Sequence, residues 1–177
     1  MKLFGLVGAS GFGRGVMPIA NKNLFSNYNQ IEAVFVELVI KEQFVGNNRV
    51  MNERDFLNEI ELKFFNVAIA DWRIRRKVVS KYTMKLCKPI NIVAENALIY
   101  DRVSIGEGAI ICSFSHITSD VTIGKYFHCN IYSYVEHDCV IGDYVTFAPR
   151  VCCNGNVIIE DNAYIGAGAI IKQGRPG

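Results

Sequence analysis

No stretch of the chain approaches 18 uninterrupted apolar residues, so no membrane-spanning helix is expected. Met1-Lys2 runs straight into a strand-like segment and a glycine-rich turn, without the features of a secretory leader. Six cysteines are present, but none forms a CxxC pair and none has zinc-ligand spacing. Neither a metal site nor a disulfide framework is therefore expected, and a reduced, cytoplasmic setting is. Charge is scarce and balanced. Charged residues make up 20% of the chain and the formal net charge is +2, too small an excess for a nucleic-acid footprint. A hydrophobic content of 50% argues equally against disorder. No GxSxG nucleophile motif occurs, and only three histidines exist: His116, His128 and His137.

What the chain has instead is a period of six. From Val93 through Ile99, Ile105, Ile111, Ile117 and onward to Ile171, every sixth residue is apolar, and nearly all are large. Four residues after each lies a second, mostly small series that includes Ala97, Ala109, Ser115, Ser133, Ala163 and Ala169. Glycine follows the large residue at Gly106, Gly124, Gly142 and Gly166. Neither a helix nor an alternating strand has this period. It predicts a left-handed parallel β-helix in which three hexads make one triangular coil. The large residue fills the prism, the small one fits near a corner, and glycine is expected where a corner needs unusual backbone angles. Cys129, Cys139 and Cys153 fall on inward positions, where a thiol acts as a small apolar filler.

The first half reads as a small Rossmann-like α/β domain. Lys2–Val7 is a strand pattern, and Gly8-Ala9-Ser10-Gly11-Phe12-Gly13 a turn into a helix reaching about Lys22. Ile31–Glu37 is a second strand, Glu53–Leu62 a helix with Phe56, Leu57 and Ile60 on one face, and Phe64–Ala70 a third strand. Asp71 is placed to cap a helix containing Ile74, Val78 and Val79. The resulting domains are 1–88 and 89–177.

Two groups of residues carry chemistry. Gly8, Ser10, Gly11 and Gly13 can bring backbone N–H groups to a phosphate at a helix N-terminus, and Glu37 ends the second strand, where an acid meets a ribose or base. The domain is short for a dinucleotide, which favours a nucleotide sugar over NAD. His137 is flanked by Glu136 and Asp138 at an outward hexad position. A carboxylate there can fix the imidazole tautomer and stabilise its charged form, as a general base requires. The run Arg73, Arg75, Arg76, Lys77 either touches phosphates or covers a solvated helix face.

The glycine turn, Val67-Ala68-Ile69-Ala70-Asp71 with Arg73-Ile74-Arg75, and Val135-Glu136-His137-Asp138-Cys139-Val140-Ile141-Gly142-Asp143 together resemble the sialic acid O-acetyltransferase type of sugar acetyltransferase. The nearer branch N-acetylates UDP- or dTDP-linked 4-amino sugars. The resemblance implies acetyl-CoA as co-substrate, His137 as general base oriented by Asp138, Asn130 near the sugar amine, and backbone N–H groups of Gly155 and Ala167 facing the acetyl-CoA arm. It also implies a homotrimer with sites shared between subunits, in surface-glycan biosynthesis. Without a serine or cysteine nucleophile motif, direct transfer fits better than an acyl-enzyme. A sugar O-acetyltransferase and a non-catalytic nucleotide-sugar-binding assembly subunit are the alternatives. The chain departs from that family at Phe12 and Thr146, where the family often has histidine. Members usually continue for one or more coils past the position of Gly177, so the acetyl-CoA site is short here, continued in further sequence, or completed by neighbouring subunits.

Overall fold

A computed structural model describes residues 2–27 and 30–175. The chain divides into two compact units, Met1–Ile90 and Asn91–Gly177. In the first, β1 (Lys2–Val7), β2 (Ile31–Glu37), β4 (Asn48–Asn52), β5 (Leu62–Val67) and β6 (Lys88–Pro89) run parallel, and β3 (Phe44–Val45) pairs antiparallel with β4. The sheet order is β3-β4-β2-β1-β5-β6. Its helices are α1 (Gly11–Asn27), α2 (Glu53–Asn58) and α3 (Trp72–Met84).

Several elements differ from expectation. Helix α1 passes Lys22 because Val16, Ala20 and Leu24, spaced four apart, form a buried stripe with Met17. Helix α2 stops early: Glu59 turns extended at ψ 140°, and Ile60 is 99% exposed instead of facing the core. The Lys63 ammonium then caps the helix end, donating to the Leu57 and Glu59 carbonyls. The third strand begins at Leu62 and ends at Val67. Asp71 caps α3 by accepting from Arg73 N at 2.8 Å, but the buried face is Arg75, Val79 and Tyr82, and Ile74 is exposed. Tyr82 packs between Phe56 and Phe65, with ring centroids 5.8 and 5.1 Å away. The β3–β4 hairpin was not anticipated. Its two-residue turn is Gly46-Asn47, a hairpin signal, and Gly46 takes φ 59°.

The second unit is a prism of two-residue parallel strands, from β7 (Ile92–Val93) to β20 (Ile170–Ile171), in three sheets that recur every third strand. Residues 18 apart stack, as in Ile110 on His128 on Thr146. The hexad series fills the interior: Ile111, Ile117, Phe127, Cys129, Val135 and Phe147 are all fully buried.

The corners obey a rule the sequence conceals. Every sixth residue from Arg102 to Gly168 is left-handed, with φ from 55° to 73°, and only Gly108 and Gly168 among them are glycine. That conformation points the corner N–H back to the preceding coil, as in Tyr144 N to Lys125 O at 2.7 Å, while strand residues such as Tyr134 donate forward to Val151 O at 2.9 Å. The glycines at 106, 124 and 142 serve a different purpose from the one expected. None has positive φ. They leave room for the next coil: a Cβ on Gly106 would lie 2.7 Å from the Gly124 carbonyl carbon. Asp143 and Asp161 use that space, accepting from Lys125 N at 2.7 Å and Asp143 N at 2.8 Å.

Gly124→Ala should therefore destabilise the prism by about 1–3 kcal/mol through overpacking. Gly15→Ala in α1, where a Cβ meets nothing within 4 Å, should be neutral or stabilising by up to about 1 kcal/mol. Urea unfolding of both variants checks the contrast.

Candidate active site

Residues 136–139 form the corner between β14 (Tyr134–Val135) and β15 (Val140–Ile141). Asp138 is the left-handed residue there, at φ 58°, and this geometry folds its carboxylate back onto the preceding side chain. His137 Nδ1 lies 2.7 Å from Asp138 Oδ2. This hydrogen bond, with Coulombic support from Asp138 and Glu136, raises the imidazole pKa above its ordinary 6.5. Both side chains are about half exposed, at 46% and 54%. With Nδ1 held by Asp138, Nε2 is the nitrogen left for proton transfer.

The coil above fixes the ring. Gly155 is buried directly over the imidazole, where a Cβ would stand 2.6 Å from Cε1 and 2.7 Å from Nε2. Asn156 N donates to His137 O at 2.9 Å. Among the described residues the Gly155 N–H has no hydrogen-bond acceptor, whereas the Gly155 carbonyl accepts from Gly174 N at 2.9 Å. Below the ring, Asp120 is held bidentate by Arg102 at 2.5 and 2.6 Å, which keeps its carboxyl below the usual carboxylate range. Beside it, the Tyr134 hydroxyl donates to Asn154 Oδ1 at 2.9 Å. Sequence reasoning missed Arg102, Asp120 and Asn154. Writing the hexads in rows of 18 would have stacked Arg102, Asp120, Asp138 and Asn156 in one column, next to Ser119, His137 and Gly155.

The expected site residues do not all meet in one protomer. Asn130 and Ala167 lie on another edge of the prism, between β13 (His128–Cys129) and β14 and between β19 (Tyr164–Ile165) and β20. Asn130 Oδ1 accepts from Ile131 N at 2.9 Å, leaving its amide nitrogen to point elsewhere. Gly155, expected to face the acetyl-CoA arm, packs on the histidine of its own chain. The other histidines differ from His137: His116 is exposed and His128 is buried at 1%. The tyrosines also divide. Tyr132 is exposed and stacked on Phe114 at 5.0 Å, while Tyr126 and Tyr144 are buried and stacked at 5.1 Å.

In the first unit, a cavity of about 610 Å³ opens where the glycine turn meets the carboxyl end of β2. Ala9, Ser10, Arg14 and Glu37 line it. Gly8, at φ 103°, makes the sharp turn out of β1. Gly13 is a packing residue, since a Cβ there would overlap the Gly8 carbonyl oxygen, whereas Gly11 faces open space. Glu37 Oε1 accepts from Ala9 N at 2.6 Å, so one carboxylate oxygen braces the turn. Arg75 is fully buried and donates to the Ile69 and Ala70 carbonyls at 2.8 and 3.3 Å, which removes it from the basic surface run. Arg73 and Arg76 stack on Trp72 at 4.7 and 5.4 Å. Among the described residues no cluster of three or more His, Cys, Asp or Glu side chains could hold a metal, and no helix is long and apolar enough to cross a membrane.

No family model matches the chain. The chain is 48% identical over 178 residues to GDP-perosamine N-acetyltransferase of Escherichia coli O157:H7, covering 99% of this chain and 80% of that protein. Among solved structures, WeeI from Acinetobacter baumannii AYE superposes with a TM-score of 0.94 at 44% identity, over 99% of this chain and 83% of that one. The same fold occurs in the acetyltransferase domain of PglB from Neisseria gonorrhoeae FA1090, solved in complex with acetyl coenzyme A (TM-score 0.86, 24% identity, 97% and 82% covered). It occurs again in a perosamine N-acetyltransferase mutant from Caulobacter crescentus, solved with CoA and GDP-perosamine (TM-score 0.79, 18% identity, 96% and 88% covered). The substrate named among these relatives is an amino sugar, perosamine, and not sialic acid. At 48% identity over four-fifths of the E. coli enzyme, the chain belongs to the sugar N-acetyltransferase family and is an acetyltransferase.

Proposed function

We propose that the protein transfers the acetyl group of acetyl-CoA to the 4-amino group of a nucleotide-linked 4-amino-4,6-dideoxy sugar. The observation that carries this is the His137–Asp138 pair at 2.7 Å under the Gly155 backbone. The sugar amine attacks the thioester carbonyl carbon, and the new C–N bond forms as the C–S bond breaks. His137 Nε2 takes the proton lost by the amine, Asp138 stabilises the resulting imidazolium, and the imidazolium gives that proton to the departing thiolate, so that CoA leaves as the thiol and the neutral base is restored. The Gly155 N–H is a donor for the developing oxyanion or the acetyl-CoA arm. The glycine turn and α1 N-terminus hold the diphosphate, with Ser10 and Gly11 nearest and Gly8 and Gly13 shaping the turn; Glu37 meets the ribose. The resemblance led to an expectation of uridine or thymidine carriers. The relative named for GDP-perosamine puts the guanosine form first. Winding of the prism is left-handed, and the first unit acts as a Rossmann-like nucleotide-sugar domain. Six free thiols agree with a cytoplasmic setting.

The placement of residues on the prism edges supports a homotrimer. His137 and Gly155 lie on one edge, and Asn130 and Ala167 on another, so one chain cannot bring the base to the residues expected near the amine. Copies packed side by side around a three-fold axis can, with His137 of one facing the Asn130 edge of the next. Sedimentation should give about three times the 19.8 kDa chain mass. A fully active monomer at assay concentration would remove the shared site.

His137→Ala should lower turnover by about two to four orders of magnitude, with little change in nucleotide-sugar binding. Thiol release from acetyl-CoA with GDP-perosamine as acceptor measures it, and near-normal turnover would take His137 out of the chemistry. Gly155→Ala should push the ring off its position and cost up to about a hundredfold in kcat, again with acceptor binding retained.

The pH dependence has a definite sign. The base works as neutral imidazole, and its pKa is raised by Asp138. The acidic limb of kcat/KM should therefore rise through an apparent pKa above 6.5, the ordinary histidine value. Asp138→Asn should move that limb to lower pH and reduce the plateau. An unmoved limb would show that Asp138 does not act on the base.

A further inference from the structure

The cavity of the first unit extends beyond the glycine turn and Glu37. It continues along the sheet in the lateral order β1, β2, β4, β3, and is also lined by Val39, Lys41, Glu42 and Val45. Three strand spacings of about 4.8 Å give a length of roughly 14 Å, which matches an extended nucleoside diphosphate. The α1 N-terminus with Arg14 lies at one end, Glu37 in the middle, and the β2–β3 loop at the other. Order along the cavity thus follows order along the ligand: diphosphate, ribose, base.

The base end has an unusual composition. Lys41 and Glu42 are adjacent, opposite in charge and exposed, yet among the described residues neither forms an ion pair with the other or a hydrogen bond with any side chain. Both are carried on a loop that is anchored where Val50 N donates to Gln43 O at 2.8 Å. Val39 is 71% exposed at the rim and Val50 is buried below, so apolar surface is available for the faces of a planar ring.

We infer that Glu42 and Lys41 read the nucleobase and that the base is guanine. The inference rests on the nucleotide-sugar reading above and adds to it the residues that select the carrier. Guanine presents two adjacent donors, N1–H and the 2-amino group, which match the two oxygens of a carboxylate. It presents two adjacent acceptors, O6 and N7, which match an ammonium. Uracil and thymine offer one N–H between two carbonyl oxygens, so a carboxylate would gain one bond and face two repelling acceptors. Adenine places a ring acceptor where guanine has N1–H. Glu42 therefore selects by attraction to guanine and by repulsion of the other bases, while Lys41 completes the match from the adjoining edge.

Titration calorimetry on the whole chain with GDP, inosine diphosphate and UDP tests this. GDP should bind roughly 5- to 100-fold more tightly than UDP, the range a bidentate base contact provides. Inosine diphosphate, which lacks only the 2-amino group, should fall between them. Glu42→Gln should bring GDP to within about threefold of UDP and of inosine diphosphate, by weakening GDP and, as the repulsion of the uracil carbonyls is relieved, tightening UDP. Lys41→Gln should weaken GDP and inosine diphosphate alike, since both carry O6 and N7. Glu37→Gln should weaken all three together. GDP preference that survives Glu42→Gln would overturn the residue assignment, and tighter binding of UDP would overturn guanine. Absence of binding by every nucleotide would overturn the nucleotide-sugar reading itself.

Discussion

The left-handed corner residue is the constraint on which the prism and its chemistry depend. A strand of two residues can donate forward to the next coil, but the corner must also return a bond to the coil before it. Only a backbone with φ near +60° turns the N–H that way. Ten non-glycine residues from Arg102 to Asn162 accept that conformation, each at a cost of about 1 kcal/mol or a little more. Eight of them, Asp120 and every sixth residue from Tyr126 to Asn162, gain that bond, which is worth a similar amount, and leaving the N–H buried without a partner would cost more. Neither side of that balance works alone: the corner is tolerable only because the coil below supplies the carbonyl.

His137 inherits its geometry from this constraint. Asp138 is left-handed because it is a corner, and its carboxylate lies 2.7 Å from the imidazole of the residue before it. The coil above completes the arrangement with Gly155, since any larger residue would occupy the volume of the ring. Four successive coils therefore surround one imidazole: Arg102 and Asp120 below, Asp138 beside, and Gly155 above. An imidazole held this way needs no packed pocket in its own chain, which is why it can be half exposed and still be held in a fixed orientation.

The prism was legible because its signal is redundant. Fourteen apolar positions in unbroken register leave little room for another period, and the interior residues Ile111, Phe127 and Phe147 lie where the register puts them. The corners were not legible, because left-handed positions are occupied here by Arg, Phe, Tyr, Asp and Asn, and no composition rule marks them. The glycines that drew attention, Gly106, Gly124 and Gly142, answer to the spacing of coils and not to backbone angle, a distinction invisible until residues 18 apart are stacked. In the first unit, local pattern failed where tertiary contacts decided. Ile60 fits the helical face of Phe56 and Leu57, yet the chain leaves the helix at Glu59 so that Leu62 can enter the sheet. Arg75 reads as one cation in a surface run, but its guanidinium supplies the donors that the Ile69 and Ala70 carbonyls need.

The pairing of His137 with Asp138 was legible in the sequence, and the placement of its neighbours was not. A histidine beside an acid on an outward position is a recognisable candidate base. Which other residues share its space depends on prism edges, which sequence distance does not reveal: Gly155, 18 residues away, touches the ring, while Asn130, seven residues away, sits on another edge. This separation has a physical consequence. Acetyl transfer needs the amine, the thioester and the base within bonding distance at once, and one prism presents the parts on different edges. The fold that makes each edge rigid also prevents any edge from bending toward the next. Flexibility cannot close that gap; in the proposed trimer, packing identical edges about a three-fold axis would supply each site with the part its own chain holds out of reach.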